Sequence, residues 1–328
     1  MRRSGGVPGG SLGLTGSLES FAAEVGTEGA VCVAGGRTSW AVGGLPEPGT
    51  REINAPSGVV AHLPAEMIVR VRAGTRLDVL QGTLAEGGQR AALEGPGEAT
   101  VGGVVAVGRS GVRRLGLGPV RDAVLEVTAV SSRGELVRSG APLVKNVTGY
   151  DLPRLLTGSL GTLALLAEVV LRCTPLPEVE RWYLGEPEDP FRVFSDLYRP
   201  LSVLWDGRRT WVGLSGFEVD VAEQARTALG DGFVQVDGPP EPPAGGRRSL
   251  SPAALKSLAG TLGHAGGWLC EIGVGVVHCD AETDSVLPPA DAPSSGVVDL
   301  HRRIKRNFDP AGRLNPGRCV LPDARVVA

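Results

Sequence analysis

The sequence predicts an α+β chain in which strands and helices intermix and fall into two regions. Three observations carry that expectation. Short runs with alternating apolar positions, such as Val59, Ala61 and Leu63, stand near a helical stripe of Leu77, Leu80 and Leu84. The chain has 328 residues, too many for a single small domain and enough for a large domain of two halves. Past Pro175 the composition turns to acids and prolines, which places a boundary near residue 177.

Residues 1–16 are expected to form a disordered lead. Ser17 to Val25 reads as a short helix with Ser17 as N-cap and Glu19 and Glu24 facing water. Residues 30–34 form a short buried-strand pattern that ends in Gly35-Gly36-Arg37-Thr38-Ser39. Residues 58–72 alternate as strand, and 75–88 read as a helix stopped by Gly87-Gly88. Residues 100–111 are neither a clean helix nor a clean strand. Residues 122–130 and 134–139 suit a hairpin around Arg133-Gly134, residues 151–157 a short helix, and Leu163 to Cys173 a strand bounded by Pro175. Beyond the boundary come strand-like pieces at 210–214 and 268–278, a helix at 220–229 and a Pro/Gly-rich loop at 237–252. A last helix at 298–308 precedes Asp309-Pro310, and no internal repeat occurs.

Composition excludes several classes. The net charge is −3 with both signs interspersed, and aromatic residues make up 4%, so neither a basic stripe nor a base-stacking surface points to nucleic acid. The five cysteines (Cys32, Cys173, Cys270, Cys279 and Cys319) are widely spaced with no Cys-x-x-Cys. They make neither a disulfide framework nor an iron–sulfur or zinc site, and reduced cytoplasmic thiols fit them best. Arg2 and Arg3 are followed by glycine and serine rather than an apolar segment, so no secretory signal is expected. No apolar run reaches spanning length, so direct membrane insertion is not expected and membrane association would need a partner.

Four segments carry chemistry. Gly35-Gly36-Arg37-Thr38-Ser39 follows a strand, and successive glycines there let backbone N–H groups converge on one anion while Thr38 and Ser39 add hydroxyls. It is neither a P-loop nor the Rossmann fingerprint, and a plain turn remains the alternative. Thr100-Val101-Gly102-Gly103, with Gly108 and Gly111 beyond, supplies small residues past which a flat or charged ligand can lie close. Gly158-Ser159-Leu160-Gly161-Thr162 makes another nest-like turn just before a strand, behind Lys145-Asn-Val-Thr-Gly-Tyr-Asp. The fourth is Phe308-Asp-Pro-Ala-Gly-Arg-Leu-Asn-Pro-Gly-Arg318.

In this order and at these spacings, the four segments resemble the FAD-binding E subunits of glycolate oxidases, within the PCMH or vanillyl-alcohol-oxidase type of FAD-binding proteins. The resemblance covers roughly residues 17–177 and 298–322. It implies a PCMH-type fold of two α+β subdomains over 17–177, a reduced substrate or cap region of small α/β character at 178–297, and a C-terminal helix and tail at 298–328 that returns to the flavin. It implies FAD held by Gly35, Gly36, Arg37, Thr38, Ser39, Pro96, Thr100, Val101, Gly102, Gly103, Gly111, Ser159, Gly161, Thr162, Val169 and Asn315. In it the two nest-like turns take the pyrophosphate, the strand around Val169 offers backbone to the adenine, and Asn315 meets the polar edge of the flavin. Members with covalent flavin use a His just after the Gly-Gly turn, or a Cys. Here Arg37 follows Gly36 and Cys32 precedes the turn, so non-covalent FAD and no metal are expected.

The implied reaction is hydride transfer from a small 2-hydroxy acid to FAD, with electrons passed on. The implied partners are a homologous larger FAD subunit and an iron–sulfur subunit. Two alternatives stand beside it: a non-catalytic FAD-binding relay subunit, and a stand-alone oxidase of another alcohol. Tyr150, beside the expected flavin, and His278, in a segment faintly similar to the His-rich strand of 2-hydroxy-acid dehydrogenases, are the candidates for catalysis. Core packing for Tyr150 and a strand-end position without a chemical role for His278 are the competing readings. Lys145 and Arg113 are candidate anion holders, while Arg302 to Arg306 reads as a solvated helix face.

Overall fold

The computed structural model describes residues 12–142, 151–262, 267–287 and 293–321. The chain divides into two compact units. Unit 1 comprises Met1–Arg109, Val120–Leu176 and Pro293–Ala328; unit 2 comprises Ser110–Pro119 and Pro177–Ala292.

Unit 1 is built on an antiparallel sheet. Its strands are β1 (Leu12–Thr15), β4 (Ser57–Leu63), β5 (Ile68–Arg72), β7 (Val124–Val130), β8 (Leu136–Gly140) and β9 (Leu165–Pro175), in the order β1-β4-β5-β9-β7-β8. The short strand β6 (Gln89–Ala91) joins the end of β9, and a parallel pair, β2 (Val31–Val33) with β3 (Arg51–Ile53), stands apart. The 11-residue β9 is central, and its run from Leu165 to Leu171 is buried throughout, as a strand flanked by neighbours and covered by other layers must be. On one face Arg70 donates to Glu126 and Glu168, each at 2.8 Å, tying β5, β7 and β9 through two buried carboxylates.

The first helix, α1 (Leu18–Val25), starts where Ser17 Oγ accepts the amide of Ser20 at 3.0 Å, a cap worth about 1 kcal/mol. It buries Phe21 and Val25 in a cluster with Val31, Ile53, Val130, Leu165 and Leu314. The expected leucine stripe belongs to α2 (Leu77–Glu86), which buries Leu77, Leu80 and Leu84.

Two local expectations are corrected. Leu12–Thr15, placed in a disordered lead, is a strand paired with β4, its Thr15 hydroxyl 2.6 Å from that of Ser57; residues 1–11 lie outside the described residues. Val101–Val107 is a helix, α3, although its glycines and β-branched valines make it a poor helix former. Burial decides: Val101 and Val105 are fully buried, and Thr100 caps the first turn by accepting the Gly103 amide at 3.2 Å.

Unit 2 is a second antiparallel sheet. Its strands are β10 (Val179–Gly185), β11 (Ser202–Trp205), β12 (Thr210–Gly216), β13 (Phe233–Val236), β14 (Gly246–Ser249), β15 (Trp268–Glu271) and β16 (Val276–Cys279), in the order β13-β10-β12-β11-β15-β16-β14. The stretch expected as strand at 268–278 is thus a tight hairpin, turned by Gly273 and Gly275 at φ 85° and 84°. One face packs helices Pro190–Asp196, Glu218–Gln224 and Pro252–Leu262 over a core where Trp205 and Trp268 meet edge to face at 5.1 Å.

Candidate functional site

A cavity of about 540 Å³ opens in unit 1. Its walls come from the turn after β2, the loop after β5, the start of α3, the turn before β9 and the C-terminal segment around Asn315 and Arg318.

The turn after β2 is an open row of donors. Ala34 donates to Ile53 at 2.9 Å and Trp40 to Arg37 at 3.2 Å, but the five amides between them, Gly35 to Ser39, find no acceptor among the described residues. Arg37 takes a left-handed φ of 57°, the backbone reversal that points successive N–H groups to one side. The turn is pressed against the residues leading into α3: a Cβ on Gly36 would run into the carbonyl oxygen of Glu98, and one on Gly102 would come within 2.7 Å of the Ala73 Cβ. Such a row of unpaired amides, with Thr38 and Ser39 hydroxyls beside it, is a cradle for a multiply charged anion. Below it Ala106, Val107, Leu165 and Leu166 present an apolar wall.

The C-terminal motif is fastened before it reaches the cavity. Asp309 accepts the amides of Arg313 at 3.1 Å and Leu314 at 2.8 Å, and Lys305 at 2.5 Å. The buried Arg313 guanidinium donates to five carbonyls, those of Val25, Gly26, Glu28, Gly29 and Ser132, at 2.7–3.1 Å. The Asn315 amide then donates to the Val31 carbonyl at 2.8 Å while the Val31 amide donates to Arg313 at 2.9 Å, and the Asn315 side-chain amide donates to Leu160 at 2.5 Å. The guanidinium groups of Arg37 and Arg318 both lie over the Trp40 indole, at 4.4 Å and 4.6 Å from the ring centroid. Arg37 is also ion-paired with Glu52.

A family model described as an FAD binding domain matches residues 23–140. Over 321 aligned residues the chain is 31% identical to glycolate oxidase subunit GlcE of Escherichia coli (strain K12), covering 86% of this chain and 91% of that protein. The chain belongs to the GlcE family. The chain is also similar to glycolate oxidase subunit GlcD of Bacillus subtilis (strain 168), 38% identical over 86 residues that cover 26% of this chain and 18% of that one. Among solved structures, alkyldihydroxyacetonephosphate synthase shares the fold at a TM-score of 0.64 and 13% identity, covering 88% of this chain and 71% of the other. FAD fits the cavity of this GlcE-family chain: open amides and two hydroxyls for its diphosphate, small-residue backbone and an apolar wall for its ring.

The structure brings together Gly35, Gly36, Arg37, Thr38, Ser39, Thr100, Gly102, Gly103, Gly161 and Asn315 on the cavity wall. Other expected contacts go elsewhere. The Ser159 hydroxyl donates to Leu156 at 2.8 Å and that of Thr162 to Ser159 at 2.7 Å, so both hold their own turn and leave Leu160 and Gly161 to face the cavity. Val101 is committed to packing, its amide on the Thr75 carbonyl. Val169 lies in β9 between β5 and β7, which take up its backbone groups. Pro96 is exposed and accepts the Ala99 amide, and Gly111 belongs to unit 2, where it accepts Arg114.

Tyr150 and Lys145 lie outside the described residues. His278 stands on β16, its Nε2 2.7 Å from Oε1 of the fully buried Glu271. Arg113 is ion-paired with Glu180 at 2.7 Å. Of the basic run, Arg302, Arg303 and Arg306 are exposed, whereas Lys305 donates to Thr162, Leu314 and Asp309. Sequence reading missed Trp40, Arg76, Glu98 and Arg318 as wall residues. Trp40 and Arg318 carried a signal, one lying directly after the glycine turn and the other ending the Asn-Pro-Gly-Arg motif.

Proposed function

We propose that the chain is the FAD-binding subunit of a glycolate oxidase-like complex, taking electrons from a small 2-hydroxy acid and passing them to partner subunits. The observation that carries the reading is the row of five open amides at Gly35–Ser39 facing a cavity, in a chain of the GlcE family. Non-covalent FAD, once bound, supplies the hydride acceptor. The protein's role is to hold it: amides and hydroxyls of the turn take the diphosphate, Thr100 to Gly103 let backbone lie against it, and Asn315 faces it from the C-terminal segment. The reading carries forward His278, whose bond to Glu271 fixes the orientation of its ring, for the hydroxyl proton of the substrate, and Tyr150 to steer the substrate or cap the ring. Partners are a larger homologous FAD subunit, in keeping with the likeness to GlcD, and an iron–sulfur subunit. The five free thiols suit a cytoplasmic setting, and among the described residues no helix is long and apolar enough to cross a membrane.

A second reading, a relay subunit that binds FAD while its partner oxidises the substrate, is favoured by the cavity wall, which among the described residues carries no imidazole. One experiment separates them. The purified chain is loaded with FAD and mixed anaerobically with glycolate or D-lactate, and flavin absorbance is followed at about 450 nm. Rapid bleaching by the chain alone supports the first reading, and bleaching only after the partner is added supports the second. A preparation that stays colourless and refuses added FAD defeats both.

A further inference from the structure

Arg318 is a half-buried cation with no ion pair among the described residues. Its guanidinium lines the cavity, Nη1 donates to the Val42 carbonyl at 2.8 Å, and Nε donates to Asn315 Oδ1 at 3.2 Å. Both partners are neutral oxygens, and Nη2 makes no hydrogen bond among the described residues. Burial holds its pKa below the ordinary guanidinium value, the direction expected of a desolvated cation. Three other arginines of unit 1 have carboxylate partners: Arg37 has Glu52, Arg76 has Asp78, and Arg70 has Glu126 and Glu168. A desolvated charge is unfavourable unless a counter-charge reaches it.

We infer that Arg318 provides the full positive charge that answers the diphosphate of the bound dinucleotide, and that Trp40 is the platform holding it in place. The inference rests on the FAD reading above. The amides of Gly35–Ser39 can hydrogen-bond phosphate oxygens, but as partial charges they do not neutralise them. Arg37 lies over the same indole, yet it is ion-paired with Glu52. Arg318 has no such carboxylate partner, and its Nη2 makes no hydrogen bond among the described residues. A guanidinium held over an indole loses little further freedom when it closes on a phosphate, and its fork suits two oxygens at once.

The test uses the full chain stripped of flavin, as wild type, Arg318→Met and Arg318→Lys. Binding of FAD and of riboflavin, which lacks the diphosphate, is measured by fluorescence, and the melting midpoint of each flavin-free protein is recorded. Arg318→Met is expected to weaken FAD by roughly 10- to 100-fold, the worth of a charged hydrogen bond, while riboflavin affinity changes little. Arg318→Lys restores much of the FAD affinity, because it keeps the charge. Flavin-free Arg318→Met still folds cooperatively and melts only slightly lower than wild type, since two hydrogen bonds to neutral oxygens are lost but no ion pair is. Equal losses for FAD and riboflavin assign the arginine to the ring and overturn the inference, as does unchanged FAD affinity in Arg318→Met. If Arg318→Met does not fold, wild type decides: FAD affinity must fall between about 50 and 500 mM salt while riboflavin affinity holds, and matching slopes defeat the idea. A wild type that binds no FAD defeats the cofactor reading itself, a different result from a wild type that binds while Arg318→Met binds equally well.

Discussion

Arg313 reaches across the chain to the carbonyl of Val25 at 2.7 Å, one of five backbone carbonyls its guanidinium holds. The N-terminal elements of unit 1 are thereby riveted to its C-terminal segment. Replacing Arg313 by Met leaves those carbonyls short of donors in a buried place and is expected to cost about 3 kcal/mol or more. Urea unfolding measures it: the midpoint falls clearly in Arg313→Met and by less in Arg313→Lys, which keeps the charge but not the fork. A midpoint within error of wild type for Arg313→Met removes the rivet from the account.

The second prediction concerns Gly36. Any Cβ there collides with the carbonyl oxygen of Glu98, so Gly36→Ala must push the donor turn away from the start of α3. Overpacking of this kind costs about 1–3 kcal/mol, and FAD affinity is expected to drop roughly tenfold or more. The flavin content of the purified protein, read from its visible spectrum, reports the outcome; full loading of the variant contradicts the role given to the turn.

Thiol reactivity is the third. Burial pushes the Cys173 thiol up to about 11, the Cys270 thiol to about 12 and the Cys279 thiol to about 11, and it also raises that of Cys32. At pH 8 these groups are protonated and shielded, hence poor nucleophiles. Cys319 is partly exposed. Titration of the native chain with a chromogenic disulfide is expected to show one fast equivalent, lost in Cys319→Ser, and the others only after unfolding.

The fourth lies in unit 2. A hydrogen bond from Arg248 Nε, at 2.7 Å, holds the Asp284 carboxyl below the usual carboxylate range. A depressed folded pKa contributes stability above the unfolded value, about 3.9, and that contribution is lost as pH falls through the folded value. Arg248→Gln should therefore be destabilised at pH 7, by no more than about 1 kcal/mol for a partly exposed pair, and should converge on wild type below about pH 3. A difference that persists unchanged into acid shows that Arg248 acts by packing instead.

Much of unit 1 was legible because its elements obey their local rules. The leucine stripe of α2, the Ser17 cap of α1 and the Arg133-Gly134 turn between β7 and β8 each follow from side-chain spacing or turn chemistry. In α3 the rules conflict, since Val-Gly-Gly-Val-Val opposes helix and only burial against the sheet overrides that preference. Unit 2 was harder: residues 175–190 present acids and prolines, yet Val179–Gly185 is a strand between β12 and β13, its pairing set by segments far along the chain. At the cavity, glycines and hydroxyls could be read because turn conformation demands them. That the Ser159 and Thr162 hydroxyls turn inward, and that Trp40 meets Arg318, are consequences of distant packing that no local pattern encodes.

The fastening of residues 309–315 onto residues 25–31 also dictates an order of events during synthesis. Unit 2 is encoded before position 293, so it is fully synthesised while unit 1 still lacks its closing segment. A nascent chain arrested upstream of Asp309 holds the glycine turn but neither the arginine rivet nor Asn315. A chain that stops before Asp309 is therefore expected to lose FAD as surely as one with a deletion in the glycine turn.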